Sequence, residues 1–273
     1  MTHTIHEPRS PFTAVVFDSP HSGTTLPAHF NFVCGLDDLK YYHDPHIDRL
    51  LADIPETGAP VLEANIHRTC IDLNRFETEI DPSTILGGWP YPTKATKYTD
   101  LNVGLLPVMT GPVWNRTKPI YDEAHPLTAD EAHLRLRAYY RPYYTTLKTL
   151  MNRASDVHEQ CLLVDTHSLF RTPGSEDIIL GDMNGTTCSP VITQIAASVF
   201  RQHGLSVAFN RPSGHAIIKT TADFSKGHHS LQVEIARDLY MDMDTYTYDE
   251  KKAARIKSVL HILSTKLAKL MVA

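Results

Sequence analysis

The feature that most constrains this chain is a short run of apolar residues that breaks off at a polar cluster, repeated along the sequence. Thr13-Ala14-Val15-Val16-Phe17 stops at Asp18-Ser19-Pro20-His21, and Cys161-Leu162-Leu163-Val164 stops at Asp165-Thr166-His167-Ser168. Runs of this length, bounded by turn formers and rich in β-branched and aromatic residues, read as β-strands. The same pattern predicts strands at 60–64, 69–73, 177–180, 205–209 and 231–235. Helical stretches lie between them. Leu36, Leu39, Ile47, Leu50 and Leu51 follow helical spacing in two pieces divided by Pro45. Thr128-Ala129-Asp130-Glu131 is a capping box opening a helix to about Arg153. Ser189-Pro190 supplies an N-cap and a first-turn proline, with Gly204 as the stop. Ile256, Val259, Leu260, Leu263, Leu267 and Leu270 form one stripe of a last helix over about 249–271. Strands alternating with helices predict an α/β fold, a sheet with helices on both faces. In such sheets ligands collect beyond the carboxyl ends of the strands, so the polar clusters there are the first place to look for function.

With 273 residues the chain can bury a large core without disulfide staples. Cys34, Cys70, Cys161 and Cys188 lie far apart with no C-x-x-C pair, as expected of buried, reduced side chains. The formal net charge of -5 argues against a nucleic-acid partner, which usually meets a basic excess. A small anionic substrate is compatible with that charge if a local arginine sets the field. There is no basic segment followed by an apolar stretch at the start, and no run of ~18 apolar residues, so a cytoplasmic protein without a membrane partner is expected. Residues 77–126 carry Pro82, Pro90, Pro92, Pro107, Pro112, Pro119 and Pro126 with Gly87, Gly88, Gly104 and Gly111. We read the chain as a single domain in which this stretch is a long loop insertion, the kind that often covers a site.

Each strand-end cluster carries chemistry with a plainer alternative. His21 and His167 are candidate metal ligands, because neutral imidazole is the commonest zinc donor and a catalytic zinc keeps three protein ligands. Taken singly, a strand-end histidine is more often a hydrogen-bonded loop residue. Asp165, two residues before His167, is placed to orient that ring from behind. Glu234 interrupts the apolar pattern Leu231-Gln232-Val233-Glu234-Ile235; it either faces a cation or donor in the interior or points to solvent beside Gln232. Asn74-Arg75, in Ile71-Asp72-Leu73-Asn74-Arg75, suits bidentate capture of a carboxylate or a surface ion pair. Competing schemes find little support: no G-x-S-x-G surrounds Ser22, and no phosphate-cradling glycine motif occurs. Of His228-His229 at most one can face a given side of a strand, and Tyr139-Tyr140 with Tyr143-Tyr144 read as helix packing.

Together these strings resemble a known family. Ser19-Pro20-His21-Ser22-Gly23, Ile71-Asp72-Leu73-Asn74-Arg75, Asp165-Thr166-His167-Ser168, Leu180-Gly181 through Asn184-Gly185, Asn210 with Gly214, and Leu231-Gln232-Val233-Glu234 followed by Leu239-Tyr240-Met241 look like the N-formylglutamate amidohydrolases, in the family's order. The resemblance implies one α/β domain with a mixed central sheet, similar in fold to zinc carboxypeptidases and aspartoacylases. It implies a single Zn2+ held by His21 and His167, Glu234 as general base, and Asn74, Arg75, Asn210 and Gly214 around the substrate. Zinc carboxypeptidases take a carboxylate three residues after the first histidine; here that residue is Thr24, so the third ligand comes from elsewhere. Asp44, in Tyr42-His43-Asp44-Pro45-His46, is the candidate, with His46 as rival. Gly214-His215 departs from the paired glycines often found in relatives. The implied reaction is hydrolysis of N-formyl-L-glutamate, or a close N-formyl amino acid, to formate and the amino acid. A deacylase or carboxypeptidase-like activity on another acyl group, and a non-catalytic metal-binding amino-acid sensor, are the alternatives.

Overall fold

A computed structural model of the chain describes residues 2–27, 30, 32–110, 118–172, 174–212 and 214–272. In chain order its elements begin β1 (His3–His6), β2 (Val15–Ser19), α1 (Leu36–Leu39), α2 (Ile47–Leu51) and β3 (Val61–Ala64). Then follow α3 (Lys97–Asp100), β4 (Met109–Thr110), β5 (Lys118–Pro119), α4 (Ala129–Arg135), a π-turn (Leu136–Tyr140) and α5 (Arg141–His158). The rest comprises β6 (Cys161–Leu169), β7 (Ile178–Gly181), α6 (Pro190–Gln202), β8 (Val207–Phe209), α7 (Ala216–Thr221), β9 (His228–Ala236) and α8 (Glu250–Leu270). The chain divides into two compact units, one of Met1–His3, Pro20–His43 and Ala64–Thr145, the other of Thr4–Ser19, Asp44–Glu63 and Thr146–Ala273.

The second unit is built on a seven-stranded sheet in the order β1-β3-β2-β6-β9-β7-β8. β2 runs parallel to β3 and β6, β6 parallel to β9, and β7 antiparallel to β9, so the sheet is mixed and the fold is α/β. Side chains alternate across each strand. Val15 and Phe17, Leu162 and Val164, Ile178 and Leu180, and Leu231, Val233 and Ile235 all enter one core with Leu50 of α2, Phe200 of α6 and Leu260 of α8. The α8 stripe Ile256, Val259, Leu260, Leu263 and Leu267 is fully buried there, each side chain contributing about 1.5–3 kcal/mol of transfer free energy. Asp249 caps α8 by accepting from the backbone N–H groups of Lys251 and Lys252. On the other face α7 covers the sheet, its Thr221 bonded to Ser230 of β9 at 2.8 Å. That second face carries the polar residues Asp165, His167, Gln232 and Glu234.

The first unit has little regular structure until α4. Thr128 accepts from the N–H of Glu131, but Glu131 turns to Arg135 rather than completing the capping box. The helix passes through the π-turn and leaves this unit at Thr145. Residues 77–126 contain a 3-10 turn, α3 and the β4–β5 pair, with 111–117 outside the described residues. One strand expectation fails: 69–73 is a buried loop, not a strand. Its backbone bonds out of any ladder, Cys70 N–H to His67 O, Asp72 N–H to Leu105 O and Arg75 N–H to Asp72 O. Among the described residues no helix is long and apolar enough to cross a membrane.

Candidate active site

In the second unit the polar cluster after Val164 lies inside a strand rather than past its end. β6 continues to Leu169 because β9 keeps pairing with it, setting Asp165 opposite Gln232 and His167 opposite Glu234. Parallel partners in register point to the same side, so all four side chains share one face. His167 is held between two carboxylates. Its Nε2 lies 2.9 Å from Asp165 Oδ1, and its Nδ1 donates to Asp44 Oδ2 at 3.0 Å. Burial disfavours a charged ring, yet Asp165, Asp44 and Glu234 together hold its pKa well above the usual histidine value. Asp44 Oδ1 accepts from Ser168 at 3.1 Å and from Arg237 Nη2 at 3.3 Å. Arg237 is buried, donates from Nε to Ser168 Oγ at 2.9 Å, and stacks on Phe170. Glu234 shares its face with Gln232, as the solvent-facing alternative required, but the face is enclosed: Gln232 is 3% exposed and Glu234 half-buried. Gln232 Nε2 donates to Glu234 Oε1 at 2.8 Å.

The first unit holds His21 by a different route. Its Nε2 donates to Asp72 Oδ1 at 2.7 Å, both residues buried. Asp72 also meets the Arg68 guanidinium, lies 3.8 Å from Arg75 Nη2, and accepts from the Asn74 backbone N–H at 2.9 Å. Burial would raise its pKa, but Arg68, Arg75 and His21 hold it well below the usual carboxylate range. Arg75 is largely committed to its own loop and to the 98–103 segment. Nε donates to Val103 O at 3.3 Å, Nη1 to Asn74 O at 3.0 Å, and the guanidinium lies 3.7 Å over the Tyr98 ring. Three side chains from the helix secure this loop: Arg135 donates to Cys70 O at 2.8 Å, Tyr144 to Leu73 O at 2.9 Å and Tyr140 to Arg75 O at 2.8 Å. Tyr140 and Tyr144 therefore tether as well as pack. Gly23, two residues after His21, runs so close to the 64–66 backbone that a Cβ would lie 2.4 Å from Ile66 O. His67, in the same unit, is buried and its pKa falls to about 3, chiefly by burial, then by His43 and Arg68.

The other expected residues fall in varied places. Between the rivals for third ligand, Asp44 reaches His167, whereas His46 Nε2 donates to Tyr246 O at 3.0 Å and its ring packs on Tyr248. Asn210 is tied to the turn after β7: its Nδ2 donates to Asp182 Oδ1 at 2.9 Å and its Oδ1 accepts from the Asp182 N–H at 3.1 Å. Gly214, at φ 103°, sits beside Gln232, where a Cβ would come 3.5 Å from Gln232 Oε1 and clash with Ile218 at 2.1 Å. His228 bonds Ser155 and His229 packs on Phe224, neither at the Glu234–His167 face position. The described cysteines are all free thiols. Sequence reasoning missed Arg68, Arg237 and Gln232: Arg68 and Gln232 act on near neighbours, Asp72 and Glu234, without a motif that marks the pairing, and Arg237 acts on Asp44 and Ser168, which the fold brings to it. His21, Asp44 and His167 are all buried and offer two imidazoles and a carboxylate, donor chemistry consistent with a divalent metal.

Comparison with known proteins places the chain in a family. A curated N-formylglutamate deformylase from Pseudomonas putida is 27% identical over 226 residues, covering 80% of this chain and 78% of that one. The solved N-formylglutamate amidohydrolase of Ralstonia eutropha is 32% identical, superposes with a TM-score of 0.91, and is matched over 99% of this chain and 98% of its own. A gene product of Agrobacterium tumefaciens at 17% identity and TM-score 0.70, covering 98% and 94%, shares the fold. The family model for N-formylglutamate amidohydrolase matches residues 13–241, and the chain belongs to that family of amide-cleaving hydrolases.

Proposed function

We propose that the protein is a zinc-dependent deformylase that hydrolyses N-formyl-L-glutamate, or a close N-formyl amino acid, to formate and the free amino acid. The observation that carries this reading is a repeated one. His21 and His167 each rest Nε2 against a buried aspartate, Asp72 and Asp165, so that Nδ1 is the ring atom turned to other partners, which for His167 is Asp44, itself a candidate metal ligand. His21, Asp44 and His167 would hold the ion. Connectivity supports the grouping, since Asp18 pairs with Asp165 and His21 follows Asp18 by three residues, as Ser168 follows Asp165. When bound, the ion supplies Lewis acidity to the formyl carbonyl and makes water more acidic, to a pKa of about 7 in zinc hydrolases.

This chain's own residues do the rest. Glu234, in register with His167, takes a proton from the attacking water as its oxygen bonds to the formyl carbon. The same carboxyl then delivers the proton to the leaving nitrogen as the C–N bond breaks. Asp165 and Asp72 keep the two imidazoles from turning. Asn74 and Arg75, with Arg68 beside them on Asp72, supply the positive field for a substrate carboxylate in a chain of net charge -5. Asn210 shapes the turn at the end of β7, and Gly214 leaves room beside Gln232.

The test is a metal titration of chelator-stripped protein with N-formyl-, N-acetyl- and peptidyl-glutamate. Zinc is expected to restore turnover of the formyl compound above the others, and Glu234→Gln to lower kcat by about 10²–10⁴-fold with the fold intact. Full activity without metal would overturn the zinc reading; faster acetyl or peptidyl cleavage would overturn the substrate.

A further inference from the structure

Gln232 is among the most buried polar side chains on the sheet face that carries Glu234, at 3% exposed. One end of its amide is accounted for. Glu234 is an acceptor, so the atom against Oε1 of that carboxylate must be the amide nitrogen, and Nε2 donates at 2.8 Å. That fixes the orientation of the amide and leaves Oε1 as a carbonyl acceptor. Among the described residues this oxygen has no hydrogen-bond partner. A buried carbonyl without a donor costs about 1–3 kcal/mol and calls for an explanation. Gly214, at φ 103°, is the nearby backbone, its would-be Cβ 3.5 Å from Oε1. A position two residues before Glu234 on the same strand and face puts this acceptor next to the carboxyl that handles the leaving nitrogen.

We propose that Gln232 is a specificity-determining residue for the amide reaction: its Nε2 steadies Glu234 while its Oε1 accepts the N–H of the scissile formamide. The inference rests on the deformylase reading and deepens it. The ligand class it selects is a secondary amide, N-formyl or otherwise, with one hydrogen on nitrogen. Holding that N–H turns the nitrogen lone pair of the tetrahedral adduct towards Glu234, so the proton arrives on the atom that leaves. A tertiary amide or an ester has no such hydrogen and leaves the buried oxygen unpaired. Sites built to pair a polar group reject analogues lacking it far more strongly than apolar pockets reject a missing methylene.

The experiment compares the formamide of L-glutamate with its isosteric formate ester, in which oxygen replaces the N–H, on holoenzyme and on Gln232→Met and Gln232→Glu. Gln232→Met removes both ends of the amide; Gln232→Glu keeps an acceptor and the shape, and reports if the first variant fails to fold. Gln232→Met is expected to lose about 10–100-fold more in kcat/KM on the amide than on the ester, whose own loss reads the support lost by Glu234, collapsing the amide preference. The wild-type ratio absorbs the intrinsic reactivity of the ester. Gln232→Glu is expected to retain more of the amide preference than Gln232→Met at matched thermal stability. Equal losses on both substrates would overturn the proposal, leaving Gln232 as a support for Glu234 alone. Failure of wild-type protein to turn over the formamide would instead overturn the deformylase reading, so the two failures are distinguishable.

Discussion

The two histidines are oriented by aspartates through the same ring nitrogen, but the surroundings that hold each pair differ in kind. His167 and Asp165 ride on a central strand whose backbone is fixed on both edges by β2 and β9. His21 and Asp72 lie on irregular chain, and Asp72 is the hub of a cluster with Arg68, Arg75 and a backbone N–H. In the strand half, hydrogen-bonded ladders set the geometry, and the aspartate orients a ring and favours its charged form without shaping the backbone. In the loop half, the aspartate and helix-borne tethers create the geometry. The difference teaches that equivalent first contacts need not carry equivalent structural weight.

The sharpest way to break that contrast is to make the same substitution in both halves. Asp72→Asn leaves the buried Arg75 and the partly buried Arg68 without their counter-charge and is expected to cost about 3–5 kcal/mol in metal-free protein. Asp165→Asn, on a strand held by its neighbours and with Asp44 and Glu234 still facing His167, is expected to cost less, about 1.5–2 kcal/mol. Urea midpoints measure both; equal losses would end the distinction. The next effect is pH dependence in the loop half. His67 has a folded pKa of about 3 against 6.5 for the free side chain, so the folded state holds it neutral. Its contribution is complete above pH 6.5 and declines as acid lets the unfolded chain take a proton the folded chain refuses. Between pH 7.5 and 5 the loss through this group is about 2 kcal/mol, and His67→Gln should flatten the urea-derived stability profile by that amount. The smallest effects are those of Tyr140→Phe and Tyr144→Phe, each expected to lose about 1 kcal/mol by freeing a loop carbonyl. Protease susceptibility confined to 69–76 would locate the change in the loop.

The same contrast explains what could be read from the amino acids. The sheet half was legible because short apolar runs bounded by turn formers recur at its strands, and the places where two of those runs broke off marked His21 and His167. The apolar run stopped at Val164, however, while the strand ran to Leu169, because a polar face needs no apolar residues to stay paired. The loop half was misread as a strand: Thr69-Cys70-Ile71-Asp72-Leu73 has strand composition, yet its donors bond to His67 and Leu105 instead of a neighbouring strand. Glu234 could not be assigned a side from periodicity, since a polar face can be solvent or an enclosed site. Asp44 and Arg237 are 193 residues apart, a distance over which no local pattern speaks. The ordered motifs supplied by family resemblance named most of the candidate residues, but not Arg68, Arg237 or the buried oxygen of Gln232.

The π-turn between α4 and α5 has a consequence for how the protein tolerates changes in length. Residues five apart in an unbroken α-helix point about 140° away from each other, so Arg135 and Tyr140 would face different ways. The i→i+5 turn of Leu136–Tyr140 brings them back over the same loop, one at Cys70 and the other at Arg75. A surface loop absorbs the loss of one residue as slack. Here the same loss would act as a rotation, turning one tether out of line with the other while leaving every side chain in the site unaltered.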